Sequence, residues 1–222
     1  MKTIIIEDEK ELAKSIAEYL STENYLCEKA ATFHEAMYKI EIFNYDCILL
    51  DITLPDGNGL KILEELKKQQ KQDGVIIISA KNSLEDKIKG LQIGADDYLT
   101  KPFHLSELAA RVYSIIRRKQ FDNTNIIQQN ELTIDLLAKT ASANNKPIIL
   151  TKKEFDLLLY FIGNKNRVLS KSTLAEHLSG DMADMLDSHN FVYAHIKNLK
   201  AKFAEAGSTN IIKTIYGTGY QW

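Results

Sequence analysis

Short apolar runs that each stop on a charged or hydroxyl-bearing side chain constrain this chain most. Thr3-Ile4-Ile5-Ile6 stops at Glu7-Asp8, and Tyr45-Asp46-Cys47-Ile48-Leu49-Leu50 stops at Asp51. Val75-Ile76-Ile77-Ile78 stops at Ser79, and Asp97-Tyr98-Leu99-Thr100 at Lys101-Pro102. Runs of this kind are what strands buried on both faces look like. Between them lie segments of helical spacing, over 9–21, 33–43, 59–70, 84–93 and 105–119. Leu12, Ile16, Tyr19 and Leu20 fall three and four apart, as do Leu60, Leu63 and Leu66. Thr32 with Glu35 three residues on has the pattern of a capping box. Five strand–helix alternations predict an α/β unit, a doubly wound (βα)5 parallel sheet with its functional loops at the carboxyl ends of the strands.

The second half follows another period. The polar segment 119–125 breaks the alternation, which predicts one domain over 1–119, a linker over 120–125 and a second domain over 126–222. Glu131-Leu132-Thr133-Ile134-Asp135 and the turn Ala143-Asn144-Asn145-Lys146-Pro147 predict an antiparallel sheet. Helices are expected over 152–163, 170–178 and 188–206. The first has a capping box, Thr151 with Glu154, and an inner face of Leu157, Leu158, Phe161 and Ile162. A hairpin turning at Gly217-Thr218-Gly219 closes the chain.

Composition narrows the class. Of 222 residues, 45% are hydrophobic and 26% charged, the makeup of an ordinary globular protein. No apolar run approaches the roughly 20 residues a membrane helix needs. Met1-Lys2-Thr3 leads straight into a strand, so no signal peptide is expected and a cytoplasmic location is. Cys27 and Cys47 lie in apolar runs without metal-ligand spacing and are expected as reduced core residues. The net charge of −2 argues against a broadly basic nucleic-acid binder. Residues 1–121 carry 17 basic and 20 acidic side chains, and residues 122–222 carry 11 and 10. A nucleic-acid surface must therefore be local to part of the second half.

Taken singly, the strand-end groups have plainer roles: Glu7 and Asp8 capping a helix, Asp51 opening a turn, Lys101 solvated in a loop. Together they bring carboxylates, a hydroxyl and an amine to four strand ends, which suits a site handling Mg²⁺ and a phosphoryl group. Glu7, Asp8 and Asp51 would repel one another without a cation, and a hard cation wants oxygen ligands. Glu7-Asp8, Asp51, residues 54–59, Ser79-Ala80 and residues 94–103 resemble a two-component response-regulator receiver, CheY-like and flavodoxin-like in fold. Residues 150–159, His195-Ile196 and Gly217-Thr218-Gly219-Tyr220 resemble the winged helix-turn-helix DNA-binding domain of the OmpR/PhoB subfamily. The resemblance covers essentially the whole chain.

It implies that Asp51 is the nucleophile and phosphoacceptor, taking a phosphoryl group from a phosphohistidine on a sensor histidine kinase. Asp8, Asp51 and the backbone carbonyl of Thr53 would bind Mg²⁺, with Glu7 acting mainly through water. The metal and Lys101 would neutralise the transferring oxygens. Ser79, followed by Ala80, would donate to one of them, and the Lys101–Pro102 bond would be cis. The chain is then a phosphoaccepting transcription factor and not an enzyme. A strand-end aspartate is also the nucleophile of haloacid-dehalogenase-like phosphatases, but these need a second aspartate two residues on. Here that residue is Thr53, which cannot protonate a leaving group.

As a switch, such a receiver moves the Ser79 hydroxyl toward the phosphate and turns the Tyr98 ring inward. The response repacks a face that the subfamily uses for a two-fold dimer, with Lys87, Asp96, Asp97, Glu107 and Arg111 at the matching positions. A dimer lets two DNA-binding domains engage two half-sites together.

Between Asp187 and Glu205 there is no acidic residue. Phe191, Val192, Ile196, Leu199 and Phe203 are expected to pack inward, leaving a polar face suited to the major groove. Asn190, Lys197, Asn198 and Lys200 occupy positions used for DNA contact in the family. His195 matches the family's histidine, and Thr214 on the hairpin is a candidate phosphate contact. This helix lacks the arginines usual in the family. Tyr216 stands where an arginine normally precedes the Gly-x-Gly turn, and Gln221 replaces another. The acidic loop 179–187, with two methionines, matches the region that meets the transcription machinery, RNA polymerase. Two other readings stay open on sequence alone: a regulator that binds DNA without phosphorylation, and a protein-interaction module whose winged helix no longer binds DNA.

Overall fold

Ile4, Ile5 and Ile6 are fully buried, so the strand that carries them, β1 (Lys2–Ile6), is covered on both faces. Next come α1 (Lys10–Thr22), β2 (Leu26–Ala30), α2 (Phe33–Ile42) and β3 (Cys47–Asp51), with the two-residue strands β4 (Thr53–Leu54) and β5 (Gly57–Asn58). Then follow α3 (Gly59–Lys68), β6 (Gly74–Ser79), α4 (Leu84–Ile93), β7 (Asp97–Thr100) and α5 (Leu105–Gln120). The five long strands pair in parallel in the order β2-β1-β3-β6-β7. This computed structural model describes residues 1–80, 84–179, 185–208 and 211–222.

Alternation along the central strands sends Ile4, Ile6, Ile48, Leu50, Val75 and Ile77 to one face, where Ala36 and Ile40 of α2 and Leu60, Leu63 and Leu66 of α3 cover them. Ile5, Leu49 and Ile76 point the other way and are equally buried. Each such side chain contributes roughly 1.5–3 kcal/mol by leaving water. The strand with no continuous apolar run, β2, is at the sheet edge and carries Glu28 and Lys29. Segment 53–58 holds the small β4–β5 hairpin. Gly59 lies so close behind Asp51 that a Cβ there would sit 2.0 Å from the Asp51 carbonyl oxygen. Any side chain at Gly59 would displace the site strand.

Helix ends correct one expectation and refine another. The Thr32 hydroxyl accepts from the Glu35 N–H, but the Glu35 carboxylate reaches past Thr32 to the Ala31 N–H at 2.9 Å, so the box is incomplete. At the start of α1 the N-cap is Glu9, whose own side chain makes no cap bond, and Glu7 Oε1 accepts from the Glu9 N–H at 3.2 Å, so Glu7 serves the helix start as well as the pocket. The contact pattern divides the chain into the units Lys2–Lys119 and Gln120–Trp222.

In the second unit, β8 (Ile126–Gln129), β9 (Leu132–Asp135), β10 (Thr140–Ala143) and β11 (Lys146–Ile148) form an antiparallel meander. Helix α6 (Lys152–Gly163) has its complete Thr151–Glu154 capping box. Next come β12 (Val168–Ser170), α7 (Lys171–Ser179), α8 (Met185–Glu205), β13 (Lys213–Ile215) and β14 (Gly219–Gln221). Ser170 ends a strand and accepts from the Thr173 N–H, so the helix expected from 170 starts one residue later. Helix α8 starts at Met185, three residues before the expected 188. Residues 180–184 of the loop expected to meet the transcription machinery lie outside the described residues. The strand β12, absent from the sequence reading, pairs with β14, and Gly219 permits it: a Cβ there would meet the Leu169 carbonyl oxygen at 2.0 Å. Among the described residues no helix is long and apolar enough to cross a membrane.

Candidate functional site

At the carboxyl edge of the parallel sheet, β1, β3, β6 and β7 deliver Glu7 and Asp8, Asp51, Ser79 and Lys101. Carboxylate oxygens of Glu7, Asp8 and Asp51 all lie within 4.8 Å of one another. Glu7 and Asp51 are buried, while Asp8 is open to solvent. Lys101 reaches between the two buried ones. Its Nζ is 2.6 Å from Asp51 Oδ2 and 2.6 Å from Glu7 Oε2. The second Asp51 oxygen accepts from the Thr53 N–H at 2.9 Å. The Lys101–Pro102 bond is cis, and the Lys101 N–H donates to the Ser79 carbonyl at 2.9 Å, tying the lysine to the end of β6.

The electrostatics follow from this placement. Burial raises the Glu7 pKa above the ordinary carboxylate range, with Lys101 opposing and Asp51 adding to the rise. Burial disfavours charged Lys101, but hydrogen bonds to Asp51 and Glu7 outweigh it, and its pKa is raised. Removing either partner leaves a buried charge uncompensated. The donor set is three carboxylates, which fits a hard divalent cation such as Mg²⁺.

Ser79 is buried, and its side chain shares a hydrogen bond with Tyr98. The Tyr98 ring packs on the core beside α4, where a Cβ on Gly90 would lie 3.6 Å from Tyr98 Cδ2. The ring is thus already directed to Ser79. Ala80 follows on the exposed side. At the supposed dimer face, Arg111 pairs with Asp97 at 2.7 Å and with Glu107 at 2.8 Å, one turn away. Asp96 accepts from the Val75 N–H at 2.8 Å and pairs with Lys119 at 3.2 Å, so it is engaged within its own unit. Lys87 is half-buried on α4. The same helix exposes Leu84, Ile88 and Leu91 at helical spacing.

In the second unit, Val192, Ile196, Leu199 and Phe203 are the buried face of α8. Asn190, Lys197 and Asn198 are exposed on the opposite side. Lys200 is turned to the hairpin, its Nζ 2.9 Å from Thr214 Oγ1 and 5.8 Å from the centre of the Tyr220 ring. Burial lowers its pKa. His195 is half-buried with its ring edge-on to Phe191 at 4.4 Å, and burial lowers its pKa. Lys202 leaves the polar face altogether and meets the buried Glu154 of the capping box at 2.6 Å. Neither that pair nor the Lys200–Thr214 contact is legible from spacing along one helix.

Fold and site together define a signalling protein in which a phosphoryl-handling pocket is joined to a helix-and-hairpin nucleic-acid reader. Residues 3–113 match the family model of the response regulator receiver domain, and residues 145–222 match the C-terminal domain of transcriptional regulatory proteins. The transcriptional regulatory protein PmrA of Pectobacterium parmentieri is 36% identical over 99% of this chain and 96% of its own. The response regulator ArlR of Staphylococcus aureus is 37% identical over 98% and 97%. The crystal structure of the response regulator DrrB, an OmpR/PhoB homologue of Thermotoga maritima, superposes with a TM-score of 0.50 at 27% identity. It covers 100% of this chain and 98% of its own. This chain belongs to the two-component response regulators of the OmpR/PhoB type, transcription regulators with a kinase as phosphodonor and DNA as target.

Proposed function

We propose that Asp51 is the phosphoacceptor and that its phosphorylation favours a receiver dimer able to hold two DNA-binding domains on one promoter. The observation that carries this reading is the Lys101 ammonium held 2.6 Å from both Asp51 and Glu7. An Asp51 oxygen attacks phosphorus, the P–N bond of the donor phosphohistidine breaks, and the imidazole leaves with a proton. Lys101 stabilises charge on the transferring oxygens, and Ser79 donates to one of them. Asp8, Asp51 and the Thr53 carbonyl would hold Mg²⁺, with Glu7 acting mainly through water, and the cation would supply positive charge to the phosphoryl oxygens. Tyr98 follows Ser79 because the two share a hydrogen bond.

The dimer face includes Lys87, Asp96, Asp97, Glu107 and Arg111 around exposed Ile88 and Leu91. Asn190, Lys197 and Asn198 face base edges, while Lys200, Thr214 and His195 serve the backbone or the packing beside it. The acidic segment 179–187 meets RNA polymerase, in the cytoplasm. Asp51→Asn tests the first step: labelling from acetyl phosphate is expected to vanish, since an amide is a poor nucleophile. Undiminished labelling would place the acceptor elsewhere.

A further inference from the structure

The stripe of α8 that carries Asn190 and Lys197 contains one large side chain of a different kind. Tyr193 lies three residues after Asn190 and four before Lys197, and it is 58% exposed. Offsets of three and four place the three side chains on one line along the helix. Exposed Ala194 and Asn198 continue the same surface, while other large side chains near it are engaged in packing. Phe191 and His195 contact each other on the side of α6, where Lys153 Nζ stands 4.5 Å from the Phe191 ring centre. Lys200 is turned to Thr214 on the other side. Among the described residues no hydrogen bond or ion pair engages the Tyr193 side chain. An uncharged ring cannot release counterions from DNA, so its contribution is not the general attraction that Lys197 supplies. What an apolar ring on the exposed line of such a helix can meet in the major groove is the C5-methyl group of thymine, the one apolar feature of the base edges.

We propose that Tyr193 reads a T·A base pair through the thymine methyl group. The proposal rests on α8 being the helix that enters the major groove. It commits Tyr193 to base reading and not to the sugar–phosphate backbone. A backbone contact would strengthen binding to every sequence alike. The ring carries the contact, so the hydroxyl is dispensable to it.

The test uses the full-length protein with beryllofluoride and Mg²⁺, and a duplex selected from a random library. Each thymine is replaced in turn by uracil, which removes only the methyl group. Fluorescence anisotropy is read for wild type, Tyr193→Ala, Tyr193→Phe and Lys197→Ala. At one thymine per half-site, wild type is expected to lose about fourfold in affinity, the equivalent of one buried methylene-sized group. Tyr193→Phe keeps that loss, and in Tyr193→Ala it disappears while binding to the methylated site is itself weaker. The same uracil penalties in wild type and Tyr193→Ala at every position, with Lys197→Ala still weakened, would overturn the Tyr193 assignment and leave the helix assignment standing. Loss of the penalty in Tyr193→Phe would overturn the methyl contact in favour of the hydroxyl. Wild-type affinity in both Lys197→Ala and Tyr193→Ala would overturn the helix assignment and the proposal with it.

Discussion

Lys200 on α8 donates to Thr214 on β13 at 2.9 Å, so the helix and the hairpin that follow each other in sequence meet at a basic, exposed seam. Lys200→Ala removes both a charge beside the backbone and this tie, and is expected to weaken binding to all sequences alike and to reduce the salt slope by about one counterion. Tyr216 is 94% exposed at the hairpin and brings no charge, so Tyr216→Ala is expected to cost far less. Tyr216→Arg is expected to strengthen binding and steepen its salt dependence by about one counterion. Anisotropy titrations at several salt concentrations check all three. Equal losses from the two alanine variants would mean that the hairpin carries recognition despite its missing arginine.

Lys101 sets one positive charge against two buried carboxylates, each at 2.6 Å. In Lys101→Met that compensation is gone, and Mg²⁺ becomes the main counter-charge. Calorimetric titration is expected to show Mg²⁺ binding tighter by roughly tenfold or more, the direction Coulomb's law dictates at such distances, while labelling from acetyl phosphate falls. Weaker metal binding in the variant would mean that the lysine assists the cation and does not compete with it.

Arg111 spends its guanidinium on Asp97 and Glu107 of its own chain. A dimer held by this face must exchange or share those partners. With beryllofluoride and Mg²⁺, sedimentation is expected to move from monomer toward dimer, and Arg111→Glu or Ile88→Glu to weaken the shift at least several-fold. A single unchanged species in both states would remove the dimer from the mechanism.

Glu154 closes the capping box of α6 and receives Lys202 at 2.6 Å. Burial works against the charged carboxylate, but Lys202 and Thr151 outweigh it and hold its pKa below the ordinary 4.5. A carboxylate whose folded pKa is lowered stabilises above its unfolded value and loses that contribution as pH falls through the folded one. Glu154→Gln is therefore expected to lower stability by about 2 kcal/mol at pH 7. The gap to wild type should shrink as pH drops below about 4.5. Urea unfolding across this range measures it. A gap that stays constant with pH would assign the loss to packing alone.

The pocket was legible in the sequence because its chemistry sits where strands end. An isoleucine run must be a buried strand, and the residue after it must emerge at the sheet edge, so Glu7, Asp51, Ser79 and Lys101 could be placed together before any fold was seen. The buried face of α8 was legible for a like reason, since Val192, Ile196, Leu199 and Phe203 repeat at the helical period. The edge strand β2 was not, because a half-exposed strand carries polar residues such as Glu28 and Lys29 and has no continuous apolar run. Nor was the division of labour among the lysines of α8. By spacing, Lys197, Lys200 and Lys202 are alike. Contacts with Thr214 and Glu154, brought in by other elements, leave Lys197 exposed, turn Lys200 to the hairpin and pair Lys202 with the buried Glu154 of α6. Periodicity along one segment determines which side faces inward, but the partner waiting there is supplied by chain far away in sequence, and only the tertiary structure decides it.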